Sequence, residues 1–495
     1  MRGPRRLALA AALGLAAPTL LGSASLAAPT DRDPGFGTDG VALVDRGQTS
    51  EIGFDLAVQP DGKVVVVGEA SAGGATDALV TRLNPDGTRD TAFGIRLLGE
   101  AGEYDGGNAV ALQPDGRIVV VGYTTKHDDV AVWRLLPSGE PDRSFSGDGF
   151  QPIDSGGSEL GSDVAIAPDG RIVVVGYTSV GPGGGTIAVY RLTAEGSPDG
   201  TFDGDGAYGF GGTGYDRGYA VAVQPDGRIL VAGEDSTDSS MRVYRFRVDG
   251  QPDPTFSTDG VAQIEGNTRV VLDLALRQDG AVYVLGSAYN GQDYDGAVFR
   301  LTPGGQVDAA FGGPVGARLD LGGDETFSSI ALTRAGQVVL AGNTSAGADA
   351  VVGRLTADGR PDSGFAPRGL HRLVGGTQEL YGATIQPDGK VLVTGDDGTN
   401  YPGLVVYRLL GDPTAGTSQT CRGRAATIVG TAGKDRIRGT AKADVIVALG
   451  GNDVVKGRGG NDVICGGGGK DKLLGGAGRD VLVGGPGKDV THQGH

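Results

Sequence analysis

The sequence contains very little cysteine, histidine or tryptophan. Of its 495 residues, two are cysteine, four are histidine and one is tryptophan. No histidine lies near Cys421 or Cys465 in the sequence, so a zinc site built from both residue types is not expected. Nucleophile-elbow, zinc-protease and phosphate-loop motifs are also missing. The sequence therefore gives little support to catalysis and predicts a protein that is not an enzyme.

The N-terminal apolar stretch is short for a transmembrane helix. It runs from Leu7 to Leu21 and contains a proline, whereas a membrane span needs about 20 apolar residues. Three arginines within the first six residues precede it, and small residues follow it. This pattern is typical of a cleaved secretory signal, predicted over residues 1–28, with a membrane anchor as the alternative. The mature protein would then be secreted, extracellular or at the cell surface, with no membrane span.

Basic residues are too few to balance the acidic ones. Lysine and arginine total 43 against 60 aspartates and glutamates, for a net charge of −17. Cleavage of the signal would remove three arginines and no acidic residue, which changes the charge to −20. Such a surface repels nucleic acid and attracts cations. We expect no nucleic-acid partner.

Glycine is abundant, with 93 residues. Its positions recur with the period of long sequence repeats and not with the three-residue period of collagen. The phrase QPDGKVVVVG recurs with variations seven times, at intervals of 53 to 57 residues. Its turn glycines are Gly62, Gly116, Gly170, Gly227, Gly280, Gly336 and Gly389. Each copy contains about four short β-rich runs separated by turns and shows no helical periodicity. The repeats predict an all-β fold with a seven-bladed β-propeller over residues 29–410; a stacked β-solenoid is the alternative.

A second regularity suggests how the ring closes. In six copies an arginine is followed eight residues later by an aspartate and three residues after that by a phenylalanine, as in Arg82, Asp90 and Phe93. Arg408 has no such followers, but Asp33 and Phe36 stand near the start of the mature chain. We predict that the N-terminal strand completes the last blade, because an open ring would expose two sheet edges. The arginines and aspartates would pair across a turn, in a structural rather than a functional role.

These repeats resemble a known family. LNPDGTRDTAFG together with QPDGKVVVVG is similar to the delta-60 repeat of secreted bacterial proteins, over residues 31 to 410. The resemblance implies a propeller-like fold and gives little guidance on biochemistry.

After a predicted linker at residues 411–420, a nine-residue period begins. Its aspartates are Asp435, Asp444, Asp453, Asp462, Asp471, Asp480 and Asp489, and an apolar residue follows most of them two positions later. The period matches the nonapeptide G-G-x-G-x-D-x-U-x. Two nonapeptides would make one coil, so aspartates 18 residues apart would stack along one edge. Glycine allows the loops positive φ angles, and carboxylate oxygens of this kind suit calcium better than magnesium or zinc.

These residues resemble the calcium-binding β-roll of the hemolysin-type, or RTX, repeat family. We therefore predict a parallel β-roll over residues 421–491, followed by a tail at 492–495, with a metal-free glycine-rich solenoid as the alternative. The predicted metal site combines the seven aspartates with the loop glycines Gly450, Gly459, Gly466, Gly468, Gly475 and Gly484. It would hold several calcium ions, up to about five. In a secreted chain, Cys421 and Cys465 are expected to form a disulfide.

The longer loops of the propeller are expected to share one face. They carry tyrosines among acidic residues: Glu103, Tyr104, Asp105, Tyr215, Asp216, Asp293, Tyr294, Asp295, Asp324 and Glu325. Such residues could bind a glycan or a protein ligand, or could be ordinary solvated loops. The predicted function is a non-enzymatic, calcium-binding adhesion or interaction protein. The alternative is an extracellular polysaccharide-active hydrolase or lyase, which would need two carboxylates converging in one cleft.

Overall fold

The computed structural model describes residue 28 and residues 30–494, with gaps. The gaps are residues 48, 101, 127, 180–183, 212–213, 237–239, 266–267, 321, 345–348, 374–378, 400–401, 412–419, 423, 431–433 and 450. The predicted signal peptide and most of the predicted linker therefore lie outside the described residues. Apart from one 3₁₀ turn, Pro367–Gly369, every described element is a β-strand. None of the described residues forms a helix long and apolar enough to cross a membrane.

The residues up to Leu409 form seven four-stranded antiparallel sheets. In the sequence, strand β1 (Val41–Val44) comes before the strands of blade 1. Blades 1 to 3 are β2–β5 (Ser50–Val58, Val64–Ala72, Ala75–Leu83, Ile95–Leu98), β6–β9 (Asp105–Leu112, Ile118–Thr124, Asp129–Leu135, Phe150–Ile153) and β10–β13 (Ser158–Ile166, Ile172–Ser179, Thr186–Leu192, Ala207–Phe210). Blades 4 to 6 are β14–β17 (Arg217–Val223, Ile229–Asp235, Ser240–Phe246, Val261–Ile264), β18–β21 (Thr268–Leu276, Val282–Tyr289, Tyr294–Leu301, Ala317–Leu319) and β22–β25 (Glu325–Leu332, Val338–Thr344, Ala350–Leu355, Leu370–Leu373). Blade 7 contains β26–β28 (Leu380–Ile385, Val391–Asp396, Leu404–Leu409).

The blades are arranged in a closed ring. The first strand of each blade contacts the first strand of the next, and β26 of blade 7 contacts β2 of blade 1. Each of seven hydrophobic clusters combines buried residues of two successive blades, so the core lies between the blades. The structure is the predicted seven-bladed propeller and not a stacked solenoid.

Glycine sets the hairpin turn between the first two strands of a blade. Gly62 has a φ of 82°, and its N–H donates to the carbonyl of Gln59 over 2.9 Å. The sixth copy has lost the proline and aspartate of the turn, yet Gly336 keeps a φ of 83° and the same hydrogen bond. The turn therefore depends on the left-handed glycine, which L-residues adopt only at a cost, more than on the residues before it.

The N-terminal strand closes the ring, as the sequence predicts. Strand β1 pairs antiparallel with β28, with Val41 opposite Tyr407. The guanidinium of Arg408 donates through Nε to Asp33 over 2.8 Å and lies 4.5 Å from the centre of the Phe36 ring. Phe36 is fully buried. Blade 7 is thus built from both ends of the propeller sequence.

The repeated arginines also join neighbouring blades. Arg82 donates through Nε to Asp90 over 2.9 Å and lies over the ring of Phe93. Its NH1 donates to the carbonyl of Pro137 in the next blade over 2.6 Å. Arg408 bonds in the same way to the carbonyl of Pro85, across the closure from blade 7 to blade 1. These contacts confirm the structural role predicted for the arginines.

The C-terminal region is a parallel β-roll with two sheets. A short antiparallel pair, β29 (Thr420–Cys421) and β30 (Arg424–Ala425), precedes it. One sheet contains β31, β33, β35 and β37 (Ile428–Val429, Val445–Val447, Val463–Cys465, Val481–Val483), and the other contains β32, β34, β36 and β38 (Arg436–Arg438, Val454–Gly459, Lys472–Ala477, Val490–His492). Paired strands lie 18 residues apart, as between Ile446 and Ile464. One coil therefore takes two nonapeptides, and its apolar residues, such as Val455 and Leu473, point into the small core.

Candidate metal centre

The aspartates of the β-roll stack in two rows. In one row, the N–H of Asp453 donates to Oδ1 of Asp471 over 2.9 Å. In the other, Asp444 donates to Asp462, and Asp462 to Asp480, each over 2.9 Å. The partners are always 18 residues apart, which is one coil. Each bond uses a single carboxylate oxygen and turns the other oxygen of that aspartate toward its own loop.

The second oxygens are buried without donors. Oδ2 of Asp453, Asp462, Asp471 and Asp480 has no hydrogen-bond partner among the described residues. Asp444 differs, because the N–H and hydroxyl of Thr440 donate to its Oδ2 over 2.7 and 2.9 Å. A buried carboxylate oxygen without a donor is unfavourable, and a hard cation such as calcium would satisfy it. The donor set therefore fits calcium best where the loops are rich in glycine.

Within each row, neighbouring carboxylates also repel one another. Burial raises the pKa of Asp453, and the carboxylates of Asp471 and Asp435 raise it further. Burial likewise raises the pKa of Asp462, with Asp480 and Asp444 adding to the shift. Both shifts arise first from burial and then from like charges, and both oppose the ionised form of these carboxylates.

A glycine five residues before six of the seven aspartates leaves space beside the carboxylate, whereas Asp453 has Ala448 at that position. A Cβ atom on Gly466 would lie 2.5 Å from Oδ2 of Asp471 and 2.6 Å from the carbonyl oxygen of Gly484. Gly475 and Gly457 face Asp480 and Asp462 in the same way and have no room for a Cβ atom. At these three glycines a carboxylate and a carbonyl oxygen of the next coil therefore meet in the space that a Cβ atom would take.

The predicted glycines occupy different places in these loops. Gly466, Gly475 and Gly484 lie at the close approach to a carboxylate. Gly459 and Gly468 lie in the loops without positive φ, which falls instead on the following Gly460 and Gly469, at 102° and 130°. Gly450 lies outside the described residues. Gly457 is absent from the predicted set, although its nine-residue spacing from Gly466 could have identified it.

A disulfide joins Cys421 to Cys465, and their Cα atoms are 5.7 Å apart. Cys421 is fully buried and packs against Val447 and Val463. The bond connects the segment that enters the β-roll to a strand in its middle.

On the propeller, the loop residues that the sequence groups together divide into two sets. Tyr104 and Tyr215 are exposed, with 50% and 63% of their surface accessible. The carboxylates that stand next to them or at equivalent positions are instead buried, and these are Asp105, Asp216, Asp295 and Glu325. The first set could contact a ligand directly, whereas the second lies at the ends of strands inside the ring.

Family comparisons agree with both regions. Five segments match the model of a β-propeller domain of unknown function, DUF5122, at residues 59–93, 113–145, 167–202, 224–256 and 277–311. Two further segments, residues 429–464 and 466–492, match the RTX calcium-binding nonapeptide repeat. The chain carries DUF5122 propeller repeats and RTX calcium-binding repeats. The unpaired oxygens described above therefore lie in RTX repeats.

Broader comparisons add less. No curated protein matches the chain. Among solved structures, hydrazine synthase of Kuenenia stuttgartiensis is similar at 16% identity and a TM-score of 0.45, covering 72% of this chain and 95% of that one. Sqt1 of Chaetomium thermophilum is similar at 14% identity and a TM-score of 0.44, covering 77% of this chain and 98% of that one. The polysaccharide lyase Uly1 is similar at 12% identity and 0.38, covering 72% and 89%. Similarity at this level indicates nothing about activity.

Proposed function

We propose that this is a secreted, non-enzymatic calcium-binding protein whose RTX repeats fold on binding calcium and whose propeller serves as an extracellular interaction or adhesion module. The observation that carries the proposal is the pair of aspartate rows, in which Oδ2 of Asp453, Asp462, Asp471 and Asp480 is buried without a donor. Calcium supplies the positive charge that these rows lack. The RTX match and the donor set support calcium over other cations.

The chain's own groups would hold the ions in the gaps between stacked loops. Asp462 and Asp471 each present Oδ2 toward their own loop, beside a carbonyl oxygen of the loop one coil later. The glycines at 457 and 466 leave the space for that meeting. With seven aspartates in two rows, we propose several ions, up to about five.

Secretion is supported by the N-terminal sequence and by calcium chemistry. Cytoplasmic calcium is too scarce for weak sites, whereas extracellular calcium-binding modules have dissociation constants of about 10⁻⁴–10⁻³ M. An RTX region that is unfolded before export and folded outside would couple calcium binding to folding. Fusion of residues 1–28 to a reporter would test export; retention of the reporter inside the cell would contradict it.

For the propeller, we propose that the face with the longer loops binds a glycan or a protein. The exposed Tyr104 and Tyr215 support this, because each offers an aromatic surface at an equivalent place in blades 1–2 and 3–4. A glycan array probed with the full chain and with a Tyr104→Ser/Tyr215→Ser variant would test the proposal. Equal binding by the two proteins would reject these tyrosines as the contact. Turnover of any bound polysaccharide would favour the alternative, a polysaccharide-active enzyme.

The calcium proposal is tested by circular dichroism of the full chain during a calcium titration. Every aromatic residue lies between Phe36 and Tyr407, so the aromatic bands of the near-ultraviolet spectrum report only on the propeller, while far-ultraviolet signals report on both regions. We expect a gain of far-ultraviolet strand signal at about millimolar calcium, with little change in the near-ultraviolet. A far-ultraviolet spectrum that stays constant up to about 10 mM calcium would contradict the proposal.

A further inference from the structure

Three carboxylates from two blades of the propeller converge on the longer-loop face. Asp129 opens the third strand of blade 2, Asp154 follows its outer strand, and Glu159 lies in the inner strand of blade 3. One oxygen atom of each lies within 4.8 Å of the others. Asp129 and Glu159 are 4% and 3% exposed, whereas Asp154 faces solvent. We refer to these three residues as the blade 2–3 trio.

The carboxylate of Glu159 is only half satisfied. Its Oε1 accepts hydrogen bonds from the Ser155 hydroxyl over 2.7 Å, the Gly157 N–H over 2.9 Å and the Thr178 hydroxyl over 3.0 Å. Its Oε2 is buried and accepts none from the described residues. Neither Glu159 nor Asp154 forms an ion pair with a described residue. An oxygen of this kind, beside two further carboxylates, is a costly arrangement unless a cation joins it.

The same arrangement recurs between blades 5 and 6. Asp295, Asp320 and Glu325 also bring one oxygen each within 4.8 Å of one another. Both trios have the same spacing in sequence, 25 residues from the first member to the second and five from the second to the third. Asp295 and Glu325 are 2% and 1% exposed, and Asp320 faces solvent. Here Arg318 lies 3.5 Å from Asp295 and supplies part of the missing charge.

Blades 1 and 4 place a buried acid at the position of Glu159 and supply it with donors from within the protein. Five residues before Glu51, where Asp154 would stand, is Arg46, whose NH1 lies 3.9 Å from the Glu51 carboxylate and whose N–H donates to it. Asp216 receives the N–H and hydroxyl of Ser236 over 2.8 and 3.0 Å. In the two trios a third carboxylate, Asp154 or Asp320, stands at the sequence position that Arg46 takes before Glu51.

We propose that each trio binds a calcium ion, at sites separate from the RTX repeats. Three carboxylates offer only hard oxygen ligands, and their flexible, partly exposed arrangement suits calcium better than a transition metal. The ion would occupy the place that the Arg46 guanidinium takes beside Glu51. The exposed aspartate of each trio, Asp154 or Asp320, leaves the site open to solvent.

Terbium, a luminescent substitute for calcium, tests the proposal in the full chain because nearby tyrosines sensitise its emission. The Tyr190 hydroxyl lies 3.3 Å from the Ser155 hydroxyl of the blade 2–3 site, and Tyr294 precedes Asp295 in the other. The RTX region has no aromatic residue, so ions bound there lack a local sensitiser. We expect strong emission that calcium displaces. Absence of emission from the unaltered chain would overturn the proposal.

Matched variants make this test specific. The pair Asp154→Ala and Asp320→Ala should lower the sensitised emission at least tenfold. The control pair Asp115→Ala and Asp226→Ala, in exposed hairpin turns, should leave it unchanged. Full emission from the first pair would overturn the proposal. Displacement by magnesium at the same concentration as by calcium would overturn the choice of calcium.

A second pair of variants separates metal binding from folding. Asp154→Arg and Asp320→Arg copy the arrangement of Arg46 beside Glu51, so they should block terbium while the propeller stays folded. Tryptophan fluorescence of Trp133 reports on the propeller alone and should melt at an unchanged or higher temperature without metal. Calcium should raise the melting temperature of the unaltered propeller but not that of this variant. An equal calcium-induced rise in both proteins would contradict the proposed sites.

Discussion

The propeller and the β-roll each use one aspartate per repeat, seven times, but they neutralise it differently. In the propeller, Asp90 lies 2.8 Å from both Lys63 and Arg82. In the β-roll, Asp462 accepts the backbone N–H of Asp444 and keeps its Oδ2 buried without a donor. In the propeller the repeated aspartate is therefore neutralised by lysine and arginine of the chain itself. In the β-roll the repeated aspartate depends on a cation from solution.

Two further differences accompany this one. The hydrogen bond from Lys63 outweighs burial and, with Arg82, lowers the pKa of Asp90 to about 2, whereas burial and like charges raise the pKa of Asp462. The largest fully buried side chains, such as Phe36 and Tyr283, all belong to the propeller, while the β-roll core is a small aliphatic cluster. We therefore expect the propeller, with its large interblade cores, to fold without metal, and the β-roll, with short strands and many glycines, to need a cation against charge repulsion and chain entropy.

The largest expected effect comes from removing the aspartate rows. Changing Asp453, Asp462 and Asp471 together to alanine should abolish the calcium-induced gain of strand signal, because binding free energy there is folding free energy. The aromatic bands of the near-ultraviolet spectrum, which arise only from the propeller, should be retained. The control Asp115→Ala, Asp169→Ala and Asp226→Ala removes three exposed turn aspartates and should keep the transition. A normal transition in the first variant would break the comparison.

Opening the propeller ring should have the next largest effect. Deleting residues 29–45 removes β1, the buried Phe36 and the partner of Arg408. Truncating a buried phenylalanine lowers the free energy of unfolding by about 3–5 kcal/mol, and so does unpairing a buried ion pair. The deletion should therefore lower the free energy of unfolding of the propeller by at least several kcal/mol. Thermal melting followed by Trp133 fluorescence would measure it. Arg360→Ala, at an arginine whose side chain is 82% exposed, is the control and should melt normally. An unchanged melting temperature after the deletion would contradict closure by this strand.

The disulfide should have a smaller effect, confined to the β-roll. Cys421 and Cys465 are 44 residues apart, and closing a loop of that length stabilises a fold by about 3–4 kcal/mol. Changing both to serine should raise the calcium concentration at the midpoint of folding and leave the propeller's melting temperature unchanged. Non-reducing peptide mapping would show the bond directly. Two free thiols in the purified protein, or an unchanged calcium midpoint, would contradict this role.

The smallest expected effect is a pH dependence of the propeller. Asp55, Asp163 and Asp273 lie at bulges of the inner strands of blades 1, 3 and 5, where each accepts an N–H from the next blade. Burial raises the pKa of Asp55 to about 6 despite those bonds, and that of Asp273 to about 7 with a contribution from Asp55. Burial and the charge of Asp273 raise the pKa of Asp163 well above its usual value.

A raised pKa in the folded state means that protonation stabilises the fold. The contribution is full below about pH 4 and is lost as the pH rises through 6 to 7. Between pH 5 and 8 the propeller should therefore lose stability through these groups. Urea unfolding followed by Trp133 fluorescence should show a smaller loss in an Asp55→Asn/Asp163→Asn/Asp273→Asn variant. Equal losses in both proteins would show that the three carboxylates do not titrate in this range.

Much of the architecture follows from the sequence because it is periodic. Seven copies of one turn phrase predict seven blades, and the arginine without followers predicts that Asp33 and Phe36 close the ring. A nine-residue aspartate period predicts two stacked rows, since two repeats complete one coil. In each case a local pattern repeats, so every copy must adopt the same structure and the chain has few ways to arrange them.

The tertiary structure alone decided which acidic residues are buried. Tyr104 and Asp105 are neighbours in sequence, yet one is half exposed and the other is fully buried, because the adjacent blade covers only the second. The spacing of Asp129, Asp154 and Glu159 is visible in the sequence, but only the packing of blade 2 against blade 3 brings their oxygens together. Burial and convergence depend on neighbours distant along the chain, and local patterns cannot specify them.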